Sequence, residues 1–303
     1  MSDKETFKQE LDARTAEIEQ LIGTYLPEET GHQKTIFEAM NYSMKAGGKR
    51  LRPMLMQEMC RLFTGTLLEA VIPFMAAVEM IHTSSLVHDD LPCMDDDMMR
   101  RGKASTWAEY GEDIGVLTGD ALMMYAFETA ANAFETSIDP DELSRIGRAM
   151  GILARKTGVY GMIGGQTVDV ELAGGPIPEN KLDFIYRLKT GALIEASMLI
   201  SAVLGGAAEE DCKIVESLAA KIGMAFQIQD DILDVTGSQD VTGKPSGSDE
   251  KNKKTTYVTL EGLEKAKKDV EQISTEAIEE LNKLPGNNDF LEQLIRALVG
   301  RQK

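Results

Sequence analysis

The sequence predicts an all-α fold, and three observations carry that prediction. The run from Ala70 to His88 is apolar almost without interruption, too long for an ordinary strand and suited to a buried central helix. Nowhere is there a series of short alternating, β-branched segments joined by hairpin turns. No dividing linker and no repeat of solenoid period interrupts the 303 residues, which therefore read as one domain, 1–303, whose central helices are apolar nearly all round.

The elements follow in order. Phe7, Leu11, Ile18, Leu21 and Ile22 give a short amphipathic opening segment. Gly47-Gly48-Lys49-Arg50-Leu51-Arg52-Pro53 reads as a basic, glycine-led loop before the central helix. Helical stretches recur at Gly119 to Phe134, Leu143 to Tyr160, Leu182 to Leu204 and Cys212 to Val235. Gly102, Gly164-Gly165, Gly174-Gly175-Pro176 and the stretch Gly237 to Gly247 punctuate them. The acidic stretch from Leu260 to Leu284 reads as outer helix, with Leu263, Val270, Ile273, Ala277 and Leu281 inward.

Composition excludes several classes. With 43% hydrophobic and 27% charged residues the chain is ordinary globular material. A formal net charge of −18 argues against broad nucleic-acid binding, which needs a basic footprint. Basic residues cluster only locally, at Lys49-Arg50-Arg52, Arg100-Arg101-Lys103 and Lys251-Lys253-Lys254, a pattern suited to a small anionic substrate. Three widely spaced cysteines form neither a disulfide framework nor a zinc pattern, which points to a reducing compartment. The polar opening Met1-Ser2-Asp3-Lys4-Glu5 is not a signal peptide, and the apolar stretch 196–208 is too short to span a membrane. A cytoplasmic location is expected.

Two aspartate clusters about 140 residues apart carry the chemistry. The first reads His88-Asp89-Asp90-Leu91-Pro92-Cys93-Met94-Asp95-Asp96-Asp97, followed by Arg100-Arg101-Gly102; the second reads Gln227-Ile228-Gln229-Asp230-Asp231-Ile232-Leu233-Asp234. Both lie in apolar surroundings, where an unpaired carboxylate is costly. Facing one cavity, they would hold hard divalent cations, and Mg²⁺ commonly completes its shell with substrate phosphates. Asp230 and Asp234 share a helix face with Gln227, and His82 lies two turns before Asp89 on one stripe. A solvated acidic face is the bland alternative, and it does not explain the apolar setting. Lys49, Arg50 and Arg52 supply charge and guanidinium forks that suit phosphate oxygens.

Together these pieces resemble the trans (E-type) isoprenyl diphosphate synthases of the short-chain bacterial farnesyl and geranylgeranyl type. The matching segments, from about Lys45 to Tyr257, are GGKRLRP at 47–53, DDLPCMD at 89–95 with RRG, GGQ at 164–166, Lys189-Thr190-Gly191, FQIQDDILD at 226–234, Gly243-Lys244 and Lys254-Thr255-Thr256-Tyr257. The resemblance implies a single polyprenyl synthase domain: an orthogonal helical bundle around a deep central cavity, the isoprenoid synthase fold. It implies that Asp89 and Asp95, supported by Asp90, and Asp230, supported by Asp231 and Asp234, hold three Mg²⁺ ions per site, with Mn²⁺ able to substitute. It implies that Lys49, Arg52, His82 and Arg101 bind isopentenyl diphosphate, and that Arg100, Lys189, Lys244 and Lys254 grip the allylic diphosphate. Thr190 and Gln227 match residues whose oxygen dipoles stabilise a developing allylic cation. The implied activity is condensation of isopentenyl diphosphate with dimethylallyl, geranyl or farnesyl diphosphate, by ionisation, condensation and elimination in a homodimer whose interface draws on the helices around Gly111 to Phe134.

Product length is expected to turn on Ser84 and Ser85, since the fifth residue before Asp89 is aromatic in many farnesyl-forming relatives. Five residues of helix displace a side chain about 7.5 Å, so a small residue there leaves a tunnel open and favours a C20 over a C15 product. Met80, Met123, Met124 and Phe127 are the alternative floor. A class I terpene cyclase would normally lack GGKR and carry a different second metal motif. A non-catalytic subunit of a heteromeric synthase would be expected to have degraded aspartate motifs, and neither is degraded here.

Overall fold

The computed structural model describes residues 3–236 and 255–299. They are almost wholly helical, as the periodicity predicts, and they fall into two compact units whose divisions lie within helices α3 and α7.

The first unit holds α1 (Asp3–Gly23), α2 (Lys34–Met44), α3 (Leu51–Thr64) up to Cys60, α4 (Val71–Asp89), α5 (Thr106–Tyr110), α6 (Glu112–Ala131) and α7 (Pro140–Thr157) up to Met150. Its only strands among the described residues, β1 (Met99–Arg100) and β2 (Lys103–Ala104), pair antiparallel in a two-residue hairpin that the periodicity could not reveal. By length and composition α4 would pass for a membrane span, yet most of it is buried inside the unit, with Phe74, Met75, Val78, Met80 and Ile81 wholly inaccessible. It is a core helix.

Helix α6 packs along α4. The approach depends on Gly119, where a Cβ would lie 2.0 Å from the His88 Nε2. The imidazole fills that notch, its Nε2 3.2 Å from Val116 O, while the Ser84 hydroxyl donates to Gly119 O at 2.8 Å. The same helix leaves an apolar outer side, since Val116, Leu117 and Met124 are exposed.

The second unit holds α8 (Met162–Glu171), α9 (Glu179–Ile185), α10 (Ala192–Leu204), α11 (Glu209–Thr236), α12 (Tyr257–Glu261), α13 (Leu263–Leu281) and α14 (Asp289–Val299). Every residue of α10 is buried, and α13 packs along α11. In α13 Val270, Ala277 and Leu281 face inward as expected, with Leu263 and Ile273 partly covered. The stretch from Leu260 is expected to be helical, and Gly262, with a φ of 84°, separates α12 from α13 near its start. Between α9 and α10 the chain widens into a π turn, Tyr186–Gly191. It is accommodated by two glycines. A Cβ at Gly165 would lie 2.3 Å from Lys189 N, and one at Gly223 would lie 2.8 Å from Gly191 Cα.

Candidate active site

The first aspartate cluster begins at the end of α4 and folds back on itself. Asp95 N–H donates to Asp89 O at 2.9 Å, and Asp97 N–H to Asp90 O at 3.1 Å, so the chain doubles residue against residue. Asp96 takes a φ of 53° to complete the turn. The aspartates thereby divide. Asp90 is buried and receives the Arg100 Nε at 3.0 Å as well as its Nη2, which also reaches Asp97 at 3.4 Å. Burial pushes the Asp90 carboxyl up, the Arg100 guanidinium pulls it back, and Asp97 and Asp95 push it up again. Asp89 is half-buried and Asp95 exposed, with their backbones adjacent. Asp90, expected as a supporting metal ligand, is paired with Arg100 in this structure, and the pair braces the turn. One carboxylate of the motif is already neutralised inside the protein.

The basic segment differs from a plain loop. Lys49 is exposed on the loop, but Arg52 and Pro53 already belong to the first turn of α3. Arg50 lies buried with a φ of 44°, its Nη1 2.8 Å from Glu79 Oε1 and its Nη2 2.6 Å from Met44 O. This residue holds the loop to α4 and to the end of α2. Its acceptor Glu79 was readable as a lone acid within the apolar run of α4 but not as a partner. Arg101, also at positive φ, donates to Gly47 O and packs over Gly48, where a Cβ would lie 2.9 Å from the guanidinium.

These turns gather cations around His82. Along α4, His82, Ser85, Leu86 and Asp89 form a partly open stripe between buried neighbours, which places imidazole and carboxylate on one wall as expected. Desolvation holds His82 well below its usual value, and Arg52, Arg101, Arg50 and Arg100 add to the effect. Burial also lowers Arg52, which Glu79 only partly offsets, and the Arg52 Nε is buried without a hydrogen-bond partner. Glu79 is already engaged by Arg50. Glu79, Asp90 and Asp97 are thus taken up by Arg50 and Arg100, and the buried Arg52 Nε still lacks an acceptor, which suits an anion. Ser85 lies on the open stripe, whereas Ser84 is inaccessible and directed at Gly119. Of the alternative floor residues, Met80 is in the core beside Thr129, while Met124 is 69% exposed and so cannot serve as a floor within this unit.

In the second unit the π turn presents Lys189 and Thr190. Thr190 Oγ1 donates to Gln227 Oε1 at 2.9 Å, so the two polar residues expected together do meet. Lys189 Nζ binds Asp169 Oδ2 of α8, a partner that no motif announced. On α11, Asp230 and Asp234 are partly open, but Asp231 is buried, receiving Tyr257 N–H at 2.8 Å and the Tyr186 hydroxyl. Lys244, Lys254 and the glycine-rich stretch around Ser246 lie outside the described residues.

The donor set that remains in each unit is carboxylate oxygen, the chemistry of Mg²⁺, which is bound through one or two carboxylates with water and phosphate completing its shell.

Comparison with known proteins places this geometry. The polyprenyl synthetase family model matches residues 33–296. A geranylgeranyl diphosphate synthase of Cyanophora paradoxa is 41% identical over 265 residues, covering 87% of this chain and 86% of that protein. The chain spans about two thirds of the length of the chloroplastic plant synthases it matches: 66% of the large subunit 1 of a heterodimeric geranylgeranyl pyrophosphate synthase from Arabidopsis thaliana, at 45% identity, and 68% of a geranylgeranyl pyrophosphate synthase from Catharanthus roseus, at 46%. Among solved structures, an apo farnesyl/geranylfarnesyl diphosphate (FPP/GFPP) synthase from Zymomonas mobilis superposes with a TM-score of 0.84 at 32% identity, over 97% of this chain and 99% of that one. A geranyltransferase from Helicobacter pylori, complexed with magnesium and isoprenyl diphosphate, gives 0.80 at 29% identity, over 99% and 97%.

Proposed function

Because the chain belongs to the polyprenyl synthetase family, we propose that it is a short-chain trans-prenyltransferase joining isopentenyl diphosphate to an allylic diphosphate. The observation that carries this reading is the cluster of guanidinium groups around His82, with the Arg52 Nε buried and without a hydrogen-bond partner. Such a cluster needs a multiply charged anion of small size.

Lys49, Arg52, His82 and Arg101 bind the diphosphate of isopentenyl diphosphate. His82 enters neutral, so it donates a hydrogen bond without adding to the cation repulsion. In the first unit Asp89 and Asp95, and in the second Asp230 with Asp234, are the carboxylates that would hold Mg²⁺, which when bound supplies Lewis-acid neutralisation of the leaving diphosphate. Lys189, Lys244 and Lys254 grip the allylic diphosphate, as does Arg100. As the allylic C–O bond breaks, the oxygens of Thr190 and Gln227 face the positive charge on carbon. The isopentenyl double bond forms the new C–C bond, and a proton leaves to the released diphosphate. Apolar walls such as Leu86 keep out water, which would quench the cation.

The proposal extends to one polyprenyl synthase domain over 1–303, three Mg²⁺ ions per site with Mn²⁺ able to substitute, a cytoplasmic location and a homodimer built on the outer side of α6. The small Ser85 on the open stripe of α4 favours a C20 product. Incubation of the purified chain with Mg²⁺, labelled isopentenyl diphosphate and dimethylallyl, geranyl or farnesyl diphosphate tests the reading. Farnesyl diphosphate should be accepted and geranylgeranyl diphosphate should accumulate; if farnesyl diphosphate accumulates instead and is refused as a primer, the C20 assignment is wrong. Asp89→Ala and Asp230→Ala should each lower turnover by about two orders of magnitude or more, and near-normal turnover in either would sink the assignment.

A further inference from the structure

Sequence alone groups Asp230, Asp231 and Asp234 as one metal motif, but on a helix adjacent residues point about 100° apart. Asp230 and Asp234 share the partly open face of α11, and Asp231 points elsewhere. Its carboxylate is 4% exposed and joins three segments. From α12 the Tyr257 N–H donates to Oδ2 at 2.8 Å, and from the π turn the Tyr186 hydroxyl donates to the same oxygen. The Tyr257 N–H also lies 3.1 Å from the Tyr186 oxygen, which closes the triangle. Tyr186 is 6% exposed, its ring set among Ile177, Leu182 and Ile185, with Met224 and Tyr257 against them.

Tyr186 is the first residue of the turn that carries Lys189 and Thr190. A π turn is not the resting geometry of a helix, and persists only where its surroundings hold it. Gly165 and Gly223 make the space for this one. The Tyr186 hydroxyl is the polar tie that holds its start to α11, the helix bearing Gln227. Turning Asp231 toward an ion would leave the buried Tyr186 hydroxyl without its acceptor and the Tyr257 N–H with only its longer contact to the Tyr186 oxygen.

We propose that Tyr186 and Asp231 are a positioning pair: Asp231 tethers the π turn and the start of α12 to α11 and is not a Mg²⁺ ligand, and Tyr186 transmits that hold so that Thr190 stays in register with Gln227. This rests on the prenyltransferase reading for its consequence in turnover, but the tether itself does not.

Three variants test it: Tyr186→Phe, Asp231→Asn and Asp230→Asn. In metal-free, substrate-free protein, Tyr186→Phe should speed hydrogen exchange at the amides of residues 187–191 and Tyr257 by about tenfold, the effect of one lost hydrogen bond, with other helices unchanged. Its kcat should fall about tenfold with KM for isopentenyl diphosphate unaltered, as for an outer partner of a reacting group. Asp231→Asn keeps an oxygen acceptor, so its half-saturating Mg²⁺ concentration should stay within about twofold of the parent, whereas Asp230→Asn should raise it about tenfold or more. If Asp231→Asn weakens Mg²⁺ dependence as Asp230→Asn does, Asp231 is a ligand and the proposal fails. If exchange at the turn is unchanged in Tyr186→Phe, the hydroxyl is no tether and the proposal also fails. Should that variant lose its fold, Asp231→Asn carries the exchange comparison, with normal protection expected. A parent protein inactive on prenyl diphosphates would overturn the functional reading, while the exchange data would still decide the tether.

Discussion

Arg50 shows how much a residue's identity leaves unsaid. In sequence it is one of three basic groups beside two glycines, indistinguishable from Lys49 and Arg52. In the structure it is buried, at positive φ, and committed to Glu79, whereas the neighbouring Arg52 has an unpartnered nitrogen. Removing one partner of such a buried pair costs about 3–5 kcal/mol, so Glu79→Gln should destabilise the fold far more than loss of the exposed Lys49. The charge of His82 also belongs to this scale. Its folded pKa is depressed, so below about pH 6.5 the unfolded chain takes up a proton that the folded chain refuses, and stability falls as pH drops through that window. A melting-temperature series from about pH 7.5 to 5.5 should therefore fall more steeply for the parent than for His82→Gln. Adding inorganic pyrophosphate should flatten the parent's slope, since anionic charge favours the imidazolium. Equal slopes without pyrophosphate would mean that His82 is not desolvated.

Elements were legible where periodicity decides them and illegible where packing does. The apolar run of α4, the four-residue spacing of Asp230 and Asp234, and the inward residues of α13 could all be read from spacing alone. The fold-back of residues 89–97 could not, because it is set by backbone bonds and one positive φ. It is this turn that separates Asp90 from Asp89. The π turn was equally silent, for its cause lies in two distant glycines. Gly223→Ala would drive a Cβ into the Gly191 backbone, which has no side chain to move aside, and should cost about 1–3 kcal/mol along with most of the turnover. Gly147→Ala in α7, with open space at its Cβ, should instead stabilise by about 0.5–1 kcal/mol. Denaturant midpoints for the two variants check both signs, and equal midpoints would refute the account of the turn.

For the molecule as a whole, a net charge of −18 is compatible with local basic sites for a small anion and argues against a polyanion track. The proposed homodimer would rest on α6, whose exposed Val116, Leu117 and Met124 form an apolar outer side on an acidic chain. Leu117→Glu combined with Met124→Glu should yield a monomer in sedimentation velocity, and an unchanged sedimentation coefficient would dismiss that face as the interface. The inner side of the same helix bears on how this chain can drift. Since even one methyl at position 119 would occupy the volume of the His88 ring, position 119 cannot gain a side chain while the imidazole stays in its notch. A descendant with alanine at 119 must first have moved or surrendered the imidazole, so a change at 88 is expected to precede any at 119.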